Sequence, residues 1–458
     1  MTTTSATQNT DLAKAIKNFR TATATYKKPE DYYKGSHDLA FATDKFKNAF
    51  GSMFREFALN LSPAVVDAVR DNLQVTEFRV EEGGDTMPEE AWKIWQRNRM
   101  GKRAGEVHKE AVKTGDAYVI VWPDTSQEGK PVTIYPQKAR SCTVTYDEET
   151  PGKILWAGKY WRTPEKKFRI NLYYPDRIEK YISKDKDKET LPEAKDFVEH
   201  ADDGGGVIKN PYGIVPVFHF ANNADIGSMG ESELLQAIPV QDALNKSVLD
   251  MMVAMEFSSY RQRWAAGIEV EFDDDGKPLP PFTSGADRLW ITESPESKFG
   301  DFDQTDLDQF LKVKESFRVD IAAVTGTPMW YLMQSKGDFP SGEALRKSET
   351  RFTKKVRDRQ ESFGQVWEDV MAFALLIEGT KGVRLFAEWA DPAPLSEKEA
   401  LENILLKQDI GISDEQALTE AGYGESDIKK MIKAKEERAK AAAREFNAGE
   451  DDPLPDNG

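Results

Sequence analysis

The fold is decided by three consecutive stretches, DLDQFLKVKESFRVDIAAVTG (306–326), TPMWYLMQSKGDFPS (327–341) and GEALRKSETRFTKKVRDRQESFGQVWEDVMAFALLIEG (342–379). In the first, apolar residues recur at three- and four-residue steps, the spacing of one helical face: Leu307, Phe310, Leu311, Phe317, Ile321 and Val324. Gly326 and Pro328 end this predicted helix, because glycine lowers helix stability and proline cannot donate the next backbone hydrogen bond. An apolar run, Met329–Met333, follows. Ser341 is a predicted N-cap for the next helix.

The third stretch predicts an unusually long helix. Its apolar stripe consists of Leu345, Phe352, Val356, Phe363, Val366, Val370, Phe373 and Ile377. The stripe extends over roughly 36 residues, or about 54 Å, and an average globular helix is about a third of that length. We expect a helix of this length to span an assembly or to lie along a partner.

The order of these motifs resembles that of the portal proteins of long-tailed (siphovirus-type) double-stranded DNA bacteriophages. The resemblance rests on TGTP (325–328), the apolar loop, PSGEALR (340–346) and the long basic helix, in that order. Other matching pieces are YYKG (32–35), NLSPAVVD (60–67) and GESEL (230–234). The likeness covers roughly residues 30 to 440. Each motif is weak by itself, and the resemblance rests on their occurrence in the same order as in the family.

Residue patterns and resemblance together predict an α+β fold. Helical patterns come first, and short β-branched and aromatic runs separated by turn residues follow between residues 117 and 182, as in antiparallel strands carried on helices. The resemblance implies the phage portal fold: an α/β wing, a helical stem, a small β-rich clip, a long helix and a C-terminal helical crown. The predicted order is a flexible N-terminal arm (1–30), wing (31–229), first stem helix (230–263), clip (264–304), second stem helix (305–325), tunnel loop (326–341), long helix with a returning wing strand (342–394), crown helices (395–445) and a disordered acidic tail (446–458).

Length and composition indicate a folded chain with a sizeable core. The 458 residues fit two or three domains, and 39% of them are hydrophobic. The single cysteine, Cys142, excludes an internal disulfide and fits a reducing compartment. No apolar run reaches the roughly 18 residues of a membrane span, and the first residues lack a signal-peptide core. We therefore expect a soluble, intracellular chain without a membrane partner.

The net charge of −17 bears on nucleic-acid binding. Tight, static binding needs Lys and Arg to displace counterions, so the charge disfavours it. Two interpretations remain open. An acidic channel wall repels phosphates and lets a duplex slide without sticking, whereas in the simpler interpretation the charge only keeps an abundant protein soluble.

Catalytic and metal-binding patterns are poor, and we expect no enzyme activity, cofactor or metal ion. The four histidines share no metal-ligand spacing: His37, His108, His200 and His219. Asp273–Gly276 has the start of a calcium loop, but Lys277 and nearby prolines interrupt the ligand series. Gly204–Gly206 lacks the following Lys-Ser/Thr of a phosphate-binding loop. Cys142, in a strand-like run without a nearby histidine, is predicted to be an inert core thiol.

The resemblance supplies candidate functional residues. The candidate channel loop comprises Met329, Trp330, Tyr331, Leu332, Met333 and Lys336, whose aromatic part either contacts DNA or packs against neighbouring helices. Arg346 and Lys347 are candidate transient contacts to DNA phosphates. They begin a basic cluster whose alternative interpretation is a solvated helix face or a set of intersubunit ion pairs: Arg346, Lys347, Arg351, Lys354, Lys355, Arg357 and Arg359. The candidate clip docking surface comprises Lys277, Asp287 and Arg288.

By resemblance, the chain is a subunit of a dodecameric ring at one capsid vertex of the virion, assembled in the host cytoplasm. Genomic double-stranded DNA passes through the ring, driven by the large terminase subunit, and head-completion or tail adaptor proteins dock to it afterwards. The major capsid protein and a scaffolding protein are further expected partners. Two alternatives stay open: a minor capsid or scaffold-interacting assembly protein without a DNA channel, and an enzyme with an unrecognised site.

Overall fold

The computed structural model describes residues 3–38, 40–41, 44, 48, 59–80, 86–201, 205–226, 228–259, 263–267, 272–277, 296–301, 308–332, 342–393, 397–421, 423 and 425–449. The chain divides into two compact units, Met1–Pro392 and Ala393–Gly458.

The first unit begins with helix α1 (Thr3–Lys34). Leu12, Ile16 and Phe19 lie on one face of it and are buried in a cluster with Ile170 and Leu172. The flexible arm predicted for residues 1–30 is therefore wrong for the described residues from Thr3 onward. A short apolar stripe among threonines is a weak helix signal by itself, and here the packing against a sheet stabilises the helix.

Short helices and a strand follow α1, and a proline marks the beginning of the first of these helices. In chain order these elements are α2 (Ser62–Asp71), β1 (Val75–Val80), α3 (Thr86–Arg97) and α4 (Met100–Thr114). Pro63 lies in the first turn of α2, where its missing N–H has no helical acceptor to lose. Val65, Val66 and Val69 of α2 are buried.

The antiparallel strands predicted from the β-branched and aromatic runs are present. The runs between residues 117 and 182 form β2 (Asp116–Pro123), β3 (Val132–Lys138), β4 (Cys142–Tyr146), β5 (Ile154–Arg162), β6 (Phe168–Tyr173) and β7 (Arg177–Ser183). Three further strands follow them: β8 (Phe197–Glu199), β9 (Val207–Lys209) and β10 (Val217–Ala221). Within the described residues, one sheet has the order β10-β2-β3, and the other has the order β4-β5-β6-β7-β8, with β9 also paired to β7. One face of the larger sheet packs on α1, and the other shares a cluster with the smaller sheet that includes Tyr118, Cys142 and Tyr173.

Residues 308–325 and 342–377 form helices, as their apolar periodicity predicts. The elements of this region are α5 (Ala237–Ser259), β11 (Arg263–Ala266), β12 (Lys298–Asp301), α6 (Asp308–Thr325), α7 (Gly342–Ile377) and β13 (Leu385–Trp389). Helices α5 and α6 pack on each other, and β11 pairs with β12 between them. Strand β13 returns to pair with β1 in antiparallel orientation.

The core of the first unit lies along α7. Val356, Phe363, Trp367 and Val370 are fully buried there and share one cluster with residues of α2, α3, α4, β2 and β10. Trp367 meets Trp95 edge to face, with 5.0 Å between the ring centroids. The long helix is thus stabilised by burial of its stripe against the same unit.

The second unit consists, in its described part, of helices α8 (Glu397–Asp409), α9 (Asp414–Glu420) and α10 (Glu425–Gly449). Ser413 caps α9 by accepting a hydrogen bond from the backbone N–H of Gln416. Residues 446–449 belong to α10, so the predicted disordered tail (446–458) is wrong at its start, and residues 450–458 lie outside the described part. Among the described helices of the whole chain, none is both long and apolar enough to cross a membrane.

Candidate functional site at the junction of the long helices

The basic face of α7 meets a buried carboxylate of the GESEL segment just before α5. Glu233 accepts from Lys355, with 2.5 Å between Oε2 and Nζ, and from Arg359, with 2.9 Å between Oε1 and Nη2. The three side chains are 6–14% exposed. Burial alone would raise the pKa of Glu233, but the two cations outweigh it and lower the pKa below its ordinary value. This ion-pair triad joins α5 to α7.

The same face of α7 also binds the end of α6. Lys355 Nζ donates to the carbonyl oxygen of Thr325 at 2.8 Å, and Arg351 Nη1 donates to that of Ala323 at 2.9 Å. The last carbonyls of a helix have no partner within the helix and carry the negative end of its dipole, so cations there are stabilising. Gly326 follows with a φ of +66°, which favours glycine, and a Cβ there would contact Arg351.

A groove of about 470 Å³ opens beside this junction. Its lining includes Ser232, Glu233, Val324, Arg351 and Lys354. Arg351, Lys355 and Arg359 of the predicted basic cluster therefore bind groups of their own chain, and Arg357 pairs with Asp391 at 3.3 Å. The intersubunit ion pairs considered from the sequence are not needed to explain these positions.

Segments that carry the family resemblance meet next to α5. Tyr32 Oη donates to Asp242 Oδ1 of α5 at 2.6 Å, and Tyr33 Oη donates to Asp67 Oδ1 of α2 at 3.1 Å. Asn60 Nδ2 donates to the carbonyl oxygen of Tyr32 at 2.8 Å. Burial and the carboxylate of Asp242 raise the pKa of Tyr32, so its hydroxyl stays a donor. YYKG and NLSPAVVD thus anchor the beginning of α5.

Asp116 is a second buried carboxylate close to the segment that precedes α5, and no sequence pattern indicated its role. It accepts from Tyr26 Oη at 2.5 Å, from His219 Nε2 at 2.7 Å and from the backbone N–H of Gly230 at 2.8 Å. Nε2 of His219 carries the hydrogen, because a carboxylate only accepts. Burial, and then Asp116, raise the pKa of Tyr26. The carboxylate ties α1, β10 and the segment before α5 to β2.

Candidate channel-loop residues form a short 3-10 turn, Met329–Tyr331, against the body of the first unit. Leu332 is 5% exposed and Tyr331 is partly buried, and both belong to the core cluster. Trp330 is 42% exposed, stacks on Tyr331 with 3.8 Å between ring centroids, and donates from Nε1 to Glu349 Oε1 at 2.6 Å. The turn brings these four candidates together, with Trp330 as the most exposed large side chain. Met333 and Lys336 lie outside the described residues.

The remaining candidates are described only in part. Arg346 and Lys347 lie in the first turns of α7, where only the backbone is described. Lys277 is exposed and follows a tight turn in which Asp273 Oδ1 accepts from the backbone N–H groups of Asp275 and Lys277, at 3.1 and 2.7 Å. The first carboxylate of the calcium-like sequence thus caps its own turn. Asp287 and Arg288 lie outside the described residues.

Two observations bear on the expected lack of chemistry. Among the described residues, no three or more His, Cys, Asp or Glu side chains are grouped so as to hold a metal ion. Cys142 is buried, and burial raises the pKa of its thiol to about 12. The thiol is therefore not activated for nucleophilic chemistry.

Comparison with known proteins identifies the class of protein that these features define. The family model "Phage portal protein, SPP1 Gp6-like" matches residues 12–443, and the chain therefore belongs to the phage portal protein family. The chain is 24% identical over 408 residues to the portal protein of Mycobacterium phage D29, covering 82% of this chain and 78% of the relative. It is 25% identical over 410 residues to that of Mycobacterium phage L5, with the same coverage.

Among solved structures, the chain is similar to one in the virion of a native gene transfer agent particle. The match covers 87% of this chain and 99% of the other, at 11% identity and a TM-score of 0.46.

Proposed function

We propose that this portal protein works as one of twelve identical subunits of a closed ring at a capsid vertex of the virion. Support comes from α6, whose buried residues are confined to its last turn, Ile321–Thr325. Its exposed apolar side chains include Leu311, Val319 and Val324, at 51, 48 and 43%. Packing on α5 leaves these apolar side chains uncovered in the single chain. Neighbouring copies, arranged head to tail, supply the missing cover.

The ring is tested on the purified full chain by mass photometry and negative-stain microscopy. Twelve copies of 51.6 kDa give about 620 kDa, and class averages show a ring with a central hole. Val319→Glu on α6 reduces the ring population, whereas Lys312→Glu, an exposed position of the same helix, does not. A monomer across a wide concentration range, with and without magnesium, would contradict the ring and favour an assembly protein without a channel.

The axis of the ring is proposed to carry double-stranded DNA during packaging and ejection. The net charge of −17 makes the subunit a poor static DNA binder, which suits a channel through which a duplex slides. The turn at Met329–Tyr331, together with Met333 and Lys336, is the proposed constriction. Trp330 is the exposed aromatic side chain in the described part of this turn. Arg346 and Lys347 are proposed to contact phosphates transiently. Packaging with purified motor, heads and DNA measures this function directly.

The partners proposed for the ring are the large terminase subunit, head-completion or tail adaptor proteins, the major capsid protein and a scaffolding protein. The subunit itself is proposed to be structural, with ATP hydrolysis supplied by the motor. Between α5 and α6, exposed Lys277 with Asp287 and Arg288 forms the proposed docking surface. Reversing all three charges weakens motor or adaptor binding and leaves rings intact. Unchanged binding would place docking elsewhere, and ATP hydrolysis by pure rings would contradict a purely structural role.

A further inference from the structure

A row of polar side chains crosses the larger sheet on the face that also packs against the smaller sheet. Lys159 of β5 pairs in register with Asn171 of β6, which pairs in register with Lys180 of β7. Directly paired residues on adjacent strands lie side by side on one face. Two positions away on the same face are apolar Tyr173 and Ile178, which belong to the cluster between the two sheets. The polar row thus lies where the apolar contact between the sheets ends.

The space above this row is a groove of about 550 Å³. Trp122, Tyr135 and Tyr212 contribute aromatic walls, and Lys130 and Lys209 add two further ammonium groups to those of the row. Among the described residues that line it, none is Asp or Glu. Four lysines and no acid in the described lining make this groove a distinct feature of a chain with a net charge of −17.

The floor of the groove has unused binding capacity. Asn171 Oδ1 is buried without a hydrogen-bond partner among the described residues, although Nδ2 reaches Tyr173 Oη at 3.4 Å. A buried acceptor without a donor is costly, and native proteins rarely leave one. Lys159 Nζ lies 5.2 Å from the ring centroid of Trp161, and burial lowers its pKa. An N–H donor beside a negative charge would satisfy both groups.

We propose that this groove binds an extended acidic peptide segment of a partner protein. Its carboxylates would pair with Lys159 and Lys180, a backbone N–H would donate to Asn171 Oδ1, and apolar side chains would pack against the outer faces of Trp122 and Tyr212. The aromatic rings favour a peptide over a stacked base, because Trp122 and Tyr212 already pack edge to face against each other at 5.8 Å. Charge interactions are screened beyond about 8 Å, so a short acidic segment is attracted by these lysines alone. A long polyanion would extend past the groove and be repelled by the rest of this acidic chain.

The test selects peptides from a random eight-residue library against the immobilised full chain and measures the best one by fluorescence anisotropy. Selected peptides carry net negative charge and at least one apolar residue. Lys159→Gln with Lys180→Gln raises the Kd about tenfold or more, because two charge-assisted contacts are lost. The matched control, Lys184→Gln with Lys186→Gln, removes two exposed lysines that follow β7 outside the groove and leaves the Kd unchanged.

A second variant avoids the sheet interior. Lys130 and Lys209 are exposed, so Lys130→Gln with Lys209→Gln retains the wild-type melting temperature and still weakens the peptide several-fold. Asn171→Leu tests the unpaired acceptor and lowers affinity without changing the dependence on salt. Selection of uncharged peptides, or equal affinity in wild type and both groove variants, would overturn the proposal. So would a single-stranded oligonucleotide that displaces the peptide and binds more tightly, since the groove would then belong to nucleic acid.

Discussion

Trp367 donates its indole N–H to Nε2 of His108, with 2.8 Å between the two nitrogen atoms. Nδ1 of the same ring lies 3.0 Å from the carbonyl oxygen of Leu73, which only accepts, so Nδ1 carries the hydrogen. The imidazole stacks on Phe363, with 5.6 Å between ring centroids. Both ring nitrogens are satisfied in the neutral tautomer, and burial lowers the pKa of His108 to about 3.

This histidine predicts acid sensitivity of the folded subunit. Below its ordinary pKa of 6.5 the unfolded chain binds a proton that the folded chain excludes, so stability falls as the pH drops from 6.5 towards 3. Between pH 7.5 and pH 5 the loss from His108 is about 2 kcal/mol. Urea unfolding at both values measures it, and His108→Gln, which does not titrate, has a correspondingly smaller difference. An equal difference in the variant would show that other groups cause the acid sensitivity.

The ion-pair triad predicts a large effect for a nearly isosteric change. Glu233→Gln removes the charge that compensates Lys355 and Arg359. Among the described residues, this leaves buried Lys355 without a carboxylate and Arg359 with only the exposed Asp358. Breaking a buried pair on one side costs about 3–5 kcal/mol. The urea midpoint of the variant is therefore far below that of wild type. Glu231→Gln, an exposed change in the same segment, is the matched control and leaves the midpoint within error.

The contact between Gly115 and Gly230 predicts that neither tolerates a side chain. A Cβ on Gly230 would overlap the carbonyl oxygen of Gly115, and Gly115 itself has a φ of +105°. Gly230→Ala forces two backbone segments apart and costs about 3 kcal/mol or more. Gly105→Ala, within α4 and with only one ordinary contact, instead raises stability by up to about 1 kcal/mol. Equal thermal melting of the two variants would contradict the close approach.

The apolar turn predicts two different consequences for neighbouring residues. Leu332→Ala creates a cavity at a side chain that is 5% exposed and costs about 2–5 kcal/mol. Trp330→Ala loses one hydrogen bond and a stacked ring at a half-exposed position, so the subunit loses about 1 kcal/mol and still assembles. If Trp330 lines the channel, that variant yields fewer DNA-filled heads from intact rings. Normal yields of stable, full heads would remove Trp330 from the channel.

The elements that could be predicted from the sequence are those whose own residues carry a clear local signal. The stripe of α7 is long enough to define its face, and Pro63 marks the beginning of α2. Helix α1 was missed because its stripe is short, and its stabilising partners in β6 lie about 150 positions further along the chain.

Long-range polar pairs could not be predicted in the same way. Glu233 and Arg359 are 126 positions apart, and no spacing rule connects them. The basic residues of α7 therefore resembled a free surface, although Arg351, Lys355 and Arg359 bind groups of the same chain. The apolar turn was open to two interpretations from its composition; in the structure Leu332 is buried in the core and Tyr331 is partly buried against it. Helices could thus be predicted from the sequence, whereas the site depends on contacts between elements that are far apart in the chain.

Helix α6 packs on α5, and its attachment to α7 at one end has a mechanical consequence. Lys355 and Arg351 grip its final turn, and the helix from that grip back to Asp308 has a length of about 27 Å. A force applied near Asp308 therefore acts through a long lever arm, with its fulcrum at Thr325 and the beginning of the apolar turn only a few residues beyond. A small tilt of the Asp308 end therefore turns the last turn of α6. Arg351 and Lys355, which bind the carbonyl oxygens of that turn, transmit the rotation to α7.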